Sequence, residues 1–163
     1  MDNSKSKIAL FLLRVTLGFY MLWAFFDKLF GLGKATPKSN AWLSGGSPTT
    51  DFLKLYSSGP FKEFYASLAG QAWVDWLFML GLLLIGLALI LGVGIRIACY
   101  SGSLLFLLMW TALLWPKNNP FLDDHIIFIV ALAVIQFTHA GRYYGLGNWW
   151  SKTNLVKWLP VLE

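Results

Sequence analysis

Two stretches of 20 residues, 76–95 and 97–116, carry no charged side chain, and only Arg96 separates them. A helix needs about 20 apolar residues to cross roughly 30 Å of hydrocarbon. No water is available there to pair backbone N–H and C=O groups, so such runs read as membrane helices. Residues 8–26 form a third run, interrupted only by Arg14. A fourth, 126–141, is shorter; Asp123, Asp124 and His125 precede it, and Arg142, Tyr143 and Tyr144 follow it. Composition agrees: 57% of the 163 residues are hydrophobic and 13% charged, against about half and a quarter in a soluble domain. The expected fold is all-α, an integral membrane four-helix bundle. It forms a single domain over 1–163, with spans near 8–26, 74–95, 97–116 and 124–144.

The first run is read as retained rather than cleaved. Arg14 breaks it after six apolar residues, and no small-x-small site follows Phe26. The net charge of +5 does not point to nucleic acid, because the basic residues flank spans and form no stripe interleaved with aromatics. The single cysteine, Cys99, lies inside the third span. One thiol cannot form an internal disulfide, which excludes quinone-linked thiol oxidases that work through cysteine pairs.

The short connection near Gly94 makes spans two and three a tight antiparallel hairpin, on the side of both termini. That side carries Lys5, Lys7, Arg96, Arg142, Lys152 and Lys157, against Lys28, Lys34, Lys38, Lys54, Lys62 and Lys117 on the other, six each. Lys38, Lys54 and Lys62 lie deep in a long loop and weigh less in setting orientation. The expectation is a multi-pass protein of the plasma membrane with both termini cytoplasmic. The loop at 27–72 is therefore extracytoplasmic. Its 31–50 part is rich in Gly, Ser, Thr and Pro. Residues 51–56 and 61–68 alternate aromatic and charged side chains, as short helices lying in the interface do. A connection this long is a lid, a partner surface or a segment resting on lipid. Gly81, Gly86, Gly92, Gly94 and Gly102 mark close helix packing.

Polar residues at membrane depth fall into two layers. Counting at 1.5 Å per residue, Arg14 lies roughly 20 Å below Asp27, while Gln136 and His139 lie roughly 16–21 Å below His125. The inner layer is thus Arg14, Gln136, His139 and Arg142. It is either a tie between helices one and four, with Arg14 snorkelling to headgroups, or a site for a quinone headgroup or anion. The outer layer is Asp27, Lys28, Asn119, Asp123, Asp124 and His125, joined by Asp75 and Lys117. Acidic residues after Asn-Pro also make a plain helix start, which accounts for one of Asp123 and Asp124. A carboxylate beside an imidazole is also a proton acceptor and relay. Asp124 and His125 are the candidate catalytic pair. Asp27, Lys28, Asn119, Arg14, Gln136 and His139 are the candidate substrate- or quinone-binding residues.

No metal site is expected, since His125, Asp123 and Asp124 give only a partial ligand set. His125 and His139 are roughly 21 Å apart along one helix and cannot share a haem. There is no Gly-rich dinucleotide fingerprint. A redox cofactor must then be a quinone or belong to a partner.

As an ordered set, Arg14 with Leu17-Gly18, Asp27-Lys28-Leu29, GLALILGVGIR (86–96), NPFLDDH (119–125) and GRYYGLGNWW (141–150) resembles the DoxX/DoxD family of small four-helix membrane proteins. GPFKEFYASL (59–68) in the long loop is closer to the DoxD branch. The resemblance implies the membrane subunit of a thiosulfate:quinone oxidoreductase, with quinone as electron acceptor and tetrathionate as product. Asp124 and His125 would then handle protons, and Lys28 and Arg14 would offer positive charge. It also implies a second subunit as partner; the bilayer and further copies of the chain are the other candidate partners. The alternative is a non-catalytic membrane scaffold or assembly factor that recruits redox partners through the loop. A solute transporter is the third reading, poorly served by two charge-free spans.

Overall fold

The computed structural model describes residues 3–162, and every regular element in them is helical. Helix α1 runs Asn3–Phe30 and α2 runs Lys62–Leu68; α3 is Ala72–Leu91, α4 is Ile95–Ala112 and α5 is Asp124–Phe137. Two short helices, α6 (Gly147–Trp150) and α7 (Asn154–Trp158), close the chain. Helices α1, α3 and α4 are long and apolar enough to cross a membrane. Their outward faces are apolar too: Leu77 is 66% exposed, Leu84 60% and Leu104 57%. Contiguous apolar surface of that kind suits lipid and not water.

Helix α1 packs along α3, α3 on α4 and α4 on α5, and α5 returns to touch α1. The core between them is built from Leu17, Met21 and Phe25 of α1, Met79, Ile85 and Leu89 of α3, Cys99 and Phe106 of α4, and Leu132 and Ile135 of α5. Small residues let backbones meet. A Cβ on Gly86 would stand 2.7 Å from Leu22 Cγ on α1. One on Gly102 would stand 2.9 Å from Leu132 on α5. Gly81, expected to pack in the same way, faces open space.

Several boundaries differ from expectation. Helix α1 extends to 28 residues, taking in Lys5 and Lys7 at one end and Asp27 and Lys28 at the other. The hairpin turn is Gly92-Val93-Gly94, with both glycines left-handed at φ 77° and 62°, a conformation open to glycine at little cost. The fourth span, expected over 124–144, stops at Phe137 after 14 residues, about 21 Å of helix. His139 turns left-handed at φ 50°, and the chain doubles back so that Gly141 and Gly147 press on Gly92.

The long loop folds onto the ends of α3 and α4. Leu53 and Tyr65 are buried with Ala112, the Tyr65 hydroxyl meets the Thr111 hydroxyl at 2.6 Å, and Ser58 N–H donates to the Ala112 carbonyl at 2.8 Å. Of the two expected interfacial helices, 62–68 is α-helical while Phe52–Tyr56 winds as a π-helical turn. Leu55, Tyr56 and Phe64 remain on the outer side, exposed.

Candidate functional site

The acidic residues at the loop end divide by what their oxygens accept. Asp27 is buried, and its carboxylate accepts from the backbone N–H of Lys34 at 3.2 Å and of Ala35 at 3.0 Å. It closes the turn that ends α1. Asn119 accepts from the N–H groups of Phe121 and Leu122 at 2.9 and 3.1 Å, an Asx turn leading into α5. Both were expected at a binding site, and in the structure both hold local backbone.

Asp75, in the first turn of α3, is also buried. One of its oxygens accepts from the Ser47 hydroxyl at 2.9 Å, the Thr49 hydroxyl at 2.6 Å and the Thr49 N–H at 3.3 Å. Hydrogen bonds to a charged acceptor contribute about 1.5–3 kcal/mol each. Asp75→Ala is therefore expected to release the 45–50 segment. Limited proteolysis at Gly45-Gly46 should accelerate at least about tenfold, by the same bond energies, with the helices intact by circular dichroism. An unchanged cleavage rate would contradict this account of the loop.

At the mouth of α5 a single aspartate, Asp123, takes both the capping role and the contact with His125. Asp123 is the N-cap: Oδ1 accepts from the N–H of His125 at 3.0 Å and of Ile126 at 3.3 Å. Its other oxygen, Oδ2, lies 2.7 Å from His125 Nδ1. One carboxylate thus satisfies orphan donors of the helix start and orients the imidazole. Asp124, expected to pair with His125, is exposed and makes no hydrogen bond among the described residues.

The His125 ring continues into a file of aromatic side chains. Phe106 of α4 stands 6.0 Å from it, Phe128 of α5 is 5.0 Å from Phe106, and Tyr20 of α1 is 5.0 Å from Phe128. His125 and Asp123 side chains are only 15% and 18% exposed. Nε2 has no partner among the described residues. Lys28, half-buried near the end of α1, forms no ion pair or hydrogen bond with Asp123, Asp124 or His125 among these residues. No three potential metal ligands gather among the described residues.

The other end of the bundle is organised by Arg14, which is fully buried. Its Nη1 donates to the carbonyls of Leu89 and Ile90, and Nη2 to that of Tyr143 at 3.3 Å. The last four carbonyls of a helix lack intrahelical partners. In α3 all four are accounted for. Ala88 accepts from Gly92 and Val93 at 2.8 and 3.1 Å, Arg14 serves Leu89 and Ile90, and Leu91 accepts from Leu146 at 2.8 Å. Arg14 therefore neither snorkels nor hydrogen-bonds to Gln136 or His139. Those two residues line a cavity of about 290 Å³ with Arg96, Tyr100, Arg142 and Trp150. Arg96, Tyr100 and Trp150 were not among the expected binding residues. Their convergence depends on the reversal at His139, which no local pattern announces.

Fold and site together define an all-helical, membrane-associated protein with a carboxylate-held imidazole at one end and a cavity lined by Arg96, Gln136, His139 and Arg142 at the other. No family model, curated protein or solved structure matches the chain.

Proposed function

We propose that this chain is the membrane subunit of a quinone-linked oxidoreductase, of the thiosulfate:quinone kind that its motifs resemble. The observation that carries the reading is the 2.7 Å contact of Asp123 Oδ2 with His125 Nδ1 beside the Phe106–Phe128–Tyr20 file. A carboxylate on one ring nitrogen fixes the tautomer and orientation, and leaves the other nitrogen to exchange a proton. Aromatic rings offer offset or edge-on contacts to a quinone ring. In the balanced reaction two thiosulfates give up two electrons and join through a new S–S bond as tetrathionate. The quinone takes up those two electrons and two protons to become quinol. His125 Nε2 hands a proton to a quinone oxygen, Asp123 stabilises the imidazolium, and exposed Asp124 relays protons from water. Helix α5 acts as the fourth helix of the bundle, and both termini lie in the cytoplasm.

The scaffold reading draws on the outward apolar side chains of the long loop, with Leu55 73% exposed. Purified protein, with and without a donor-side subunit, should reduce a short-chain ubiquinone analogue when thiosulfate is supplied. Quinone reduction absent in both preparations would favour the scaffold.

A further inference from the structure

We infer that Trp110 is the second hydrogen-bond donor of the quinone site: its indole N–H holds the quinone oxygen that His125 does not reach. This role, which rests on His125 handing a proton to a quinone, makes Trp110 a binding residue. Trp110 Nε1 is buried and has no hydrogen-bond partner. Among the described residues that condition is shared by Nε of Arg14, at the opposite end of the bundle, whose guanidinium is otherwise bonded. A buried donor left unpaired is rare in native proteins and costs stability.

Its position indicates the partner. Trp110 stands four residues beyond Phe106 on α4, hence on the same helix face and one turn nearer the loop end. Helical side chains lean back over the preceding turn, which carries the indole toward the Phe106 ring. Phe106 is the member of the aromatic file that meets His125, at 6.0 Å. The acceptors at this end are engaged elsewhere or turned away. The Thr111 hydroxyl donates to the Leu108 carbonyl at 2.9 Å and meets the Tyr65 hydroxyl at 2.6 Å. Both oxygens of Asp123 serve His125 and Ile126, and Asp124 is exposed.

A para-quinone carries its two oxygens on opposite edges of one ring, so gripping both needs donors from two directions. His125 Nε2 serves one edge and Trp110 Nε1 the other. An imidazole can give its proton away, whereas an indole N–H donates a hydrogen bond and accepts none. Trp110 therefore fixes one edge of the ring and presents the other to His125. Tyr20, at the far end of the file, is exposed, which opens the file to the bilayer where a quinone dissolves.

The test uses the full chain in a neutral detergent and a short-chain ubiquinone with a heavy-carbon label at one carbonyl or the other. Infrared difference spectra report each carbonyl, and calorimetric titration reports affinity. In the wild type both carbonyl bands should lie below their frequencies in detergent alone. Trp110→Phe should return one band toward the free frequency, and His125→Ala the other. Trp110→Phe should also weaken quinone binding about tenfold. An analogue with one carbonyl replaced by a methylene should bind the wild type about tenfold more weakly than the quinone. In Trp110→Phe that preference should shrink to within about threefold. If Trp110→Phe does not fold, the preference and the two lowered bands of the wild type decide. Equal affinity of the wild type for quinone and analogue would overturn the assignment of Trp110. So would carbonyl bands unchanged in Trp110→Phe while His125→Ala shifts one, which leaves the His125 site standing. No binding of quinone to the wild type would overturn both.

Discussion

Replacing Arg14 with methionine is expected to lower the unfolding free energy by about 3 kcal/mol or more. Methionine fills similar space with a flexible apolar chain, so the loss comes from the carbonyls of Leu89, Ile90 and Tyr143, all left without a donor. Each uncompensated buried polar group costs about 1–3 kcal/mol. Two effects work the other way. A buried guanidinium carries a desolvation penalty that its removal relieves, and the Nε–H of Arg14 has no partner. The sum still favours arginine, because three acceptors on two segments of chain depend on one side chain. Lysine places its charge at a single point and lacks the planar fork, so Arg14→Lys should recover less than half of the loss. Arg96→Gln, at an exposed position, should stay within about 0.5 kcal/mol. Denaturant titration in mixed micelles, followed by tryptophan fluorescence, measures all three. A loss below about 1 kcal/mol in Arg14→Met would contradict the capping role.

The second large effect concerns turnover. Removing a positioned general acid or base costs about 10²–10⁴-fold in rate, and His125→Ala is expected to fall in that range for quinone reduction. Asp123→Asn should lower the rate nearly as much. The amide keeps the helix cap, yet it can hold the imidazole in the wrong tautomer and cannot stabilise its charged form. Asp124→Asn should reduce the rate by less than about tenfold, since a relay carboxylate exposed to water has substitutes. The reverse order, with Asp124 the more sensitive, would return the proton-handling role to the residue that the motif alone suggests. Thermal stability separates this from damage to the fold: Asp123→Ala should lose about 1 kcal/mol through the cap, whereas Asp123→Asn should lose little.

The three long helices were legible because the cost of an unpaired backbone in lipid makes run length itself the signal. Their ends were not, because tertiary contacts set them. The fourth helix stops at Phe137 so that Gly141 can reach Gly92, about fifty residues away in sequence. Depth counting gives the height of a side chain but not the direction in which it turns. Arg14 could be placed near the level of Gln136, yet not among the carbonyls of α3. At the other end, the carboxylate that caps α5 depends on a register of one residue. Asp123 precedes the helix and reaches forward to the N–H of His125 and to its ring, while Asp124 faces outward. Asp27 and Asp75 read as charges at a membrane face. Their actual partners, Lys34, Ala35, Ser47 and Thr49, lie in a loop whose path follows from those contacts.

The central claim is that a quinone sits against His125 at the loop end of α4, α5 and α1. Photolabelling with an azido-quinone, followed by peptide mapping, tests it most directly. The account predicts label on peptides carrying Tyr20, Phe106 or His125–Phe128, competed away by unmodified quinone and lost in Phe106→Ala. Competed label confined to the peptides around Gln136 and His139, or no competed label at all, would contradict it.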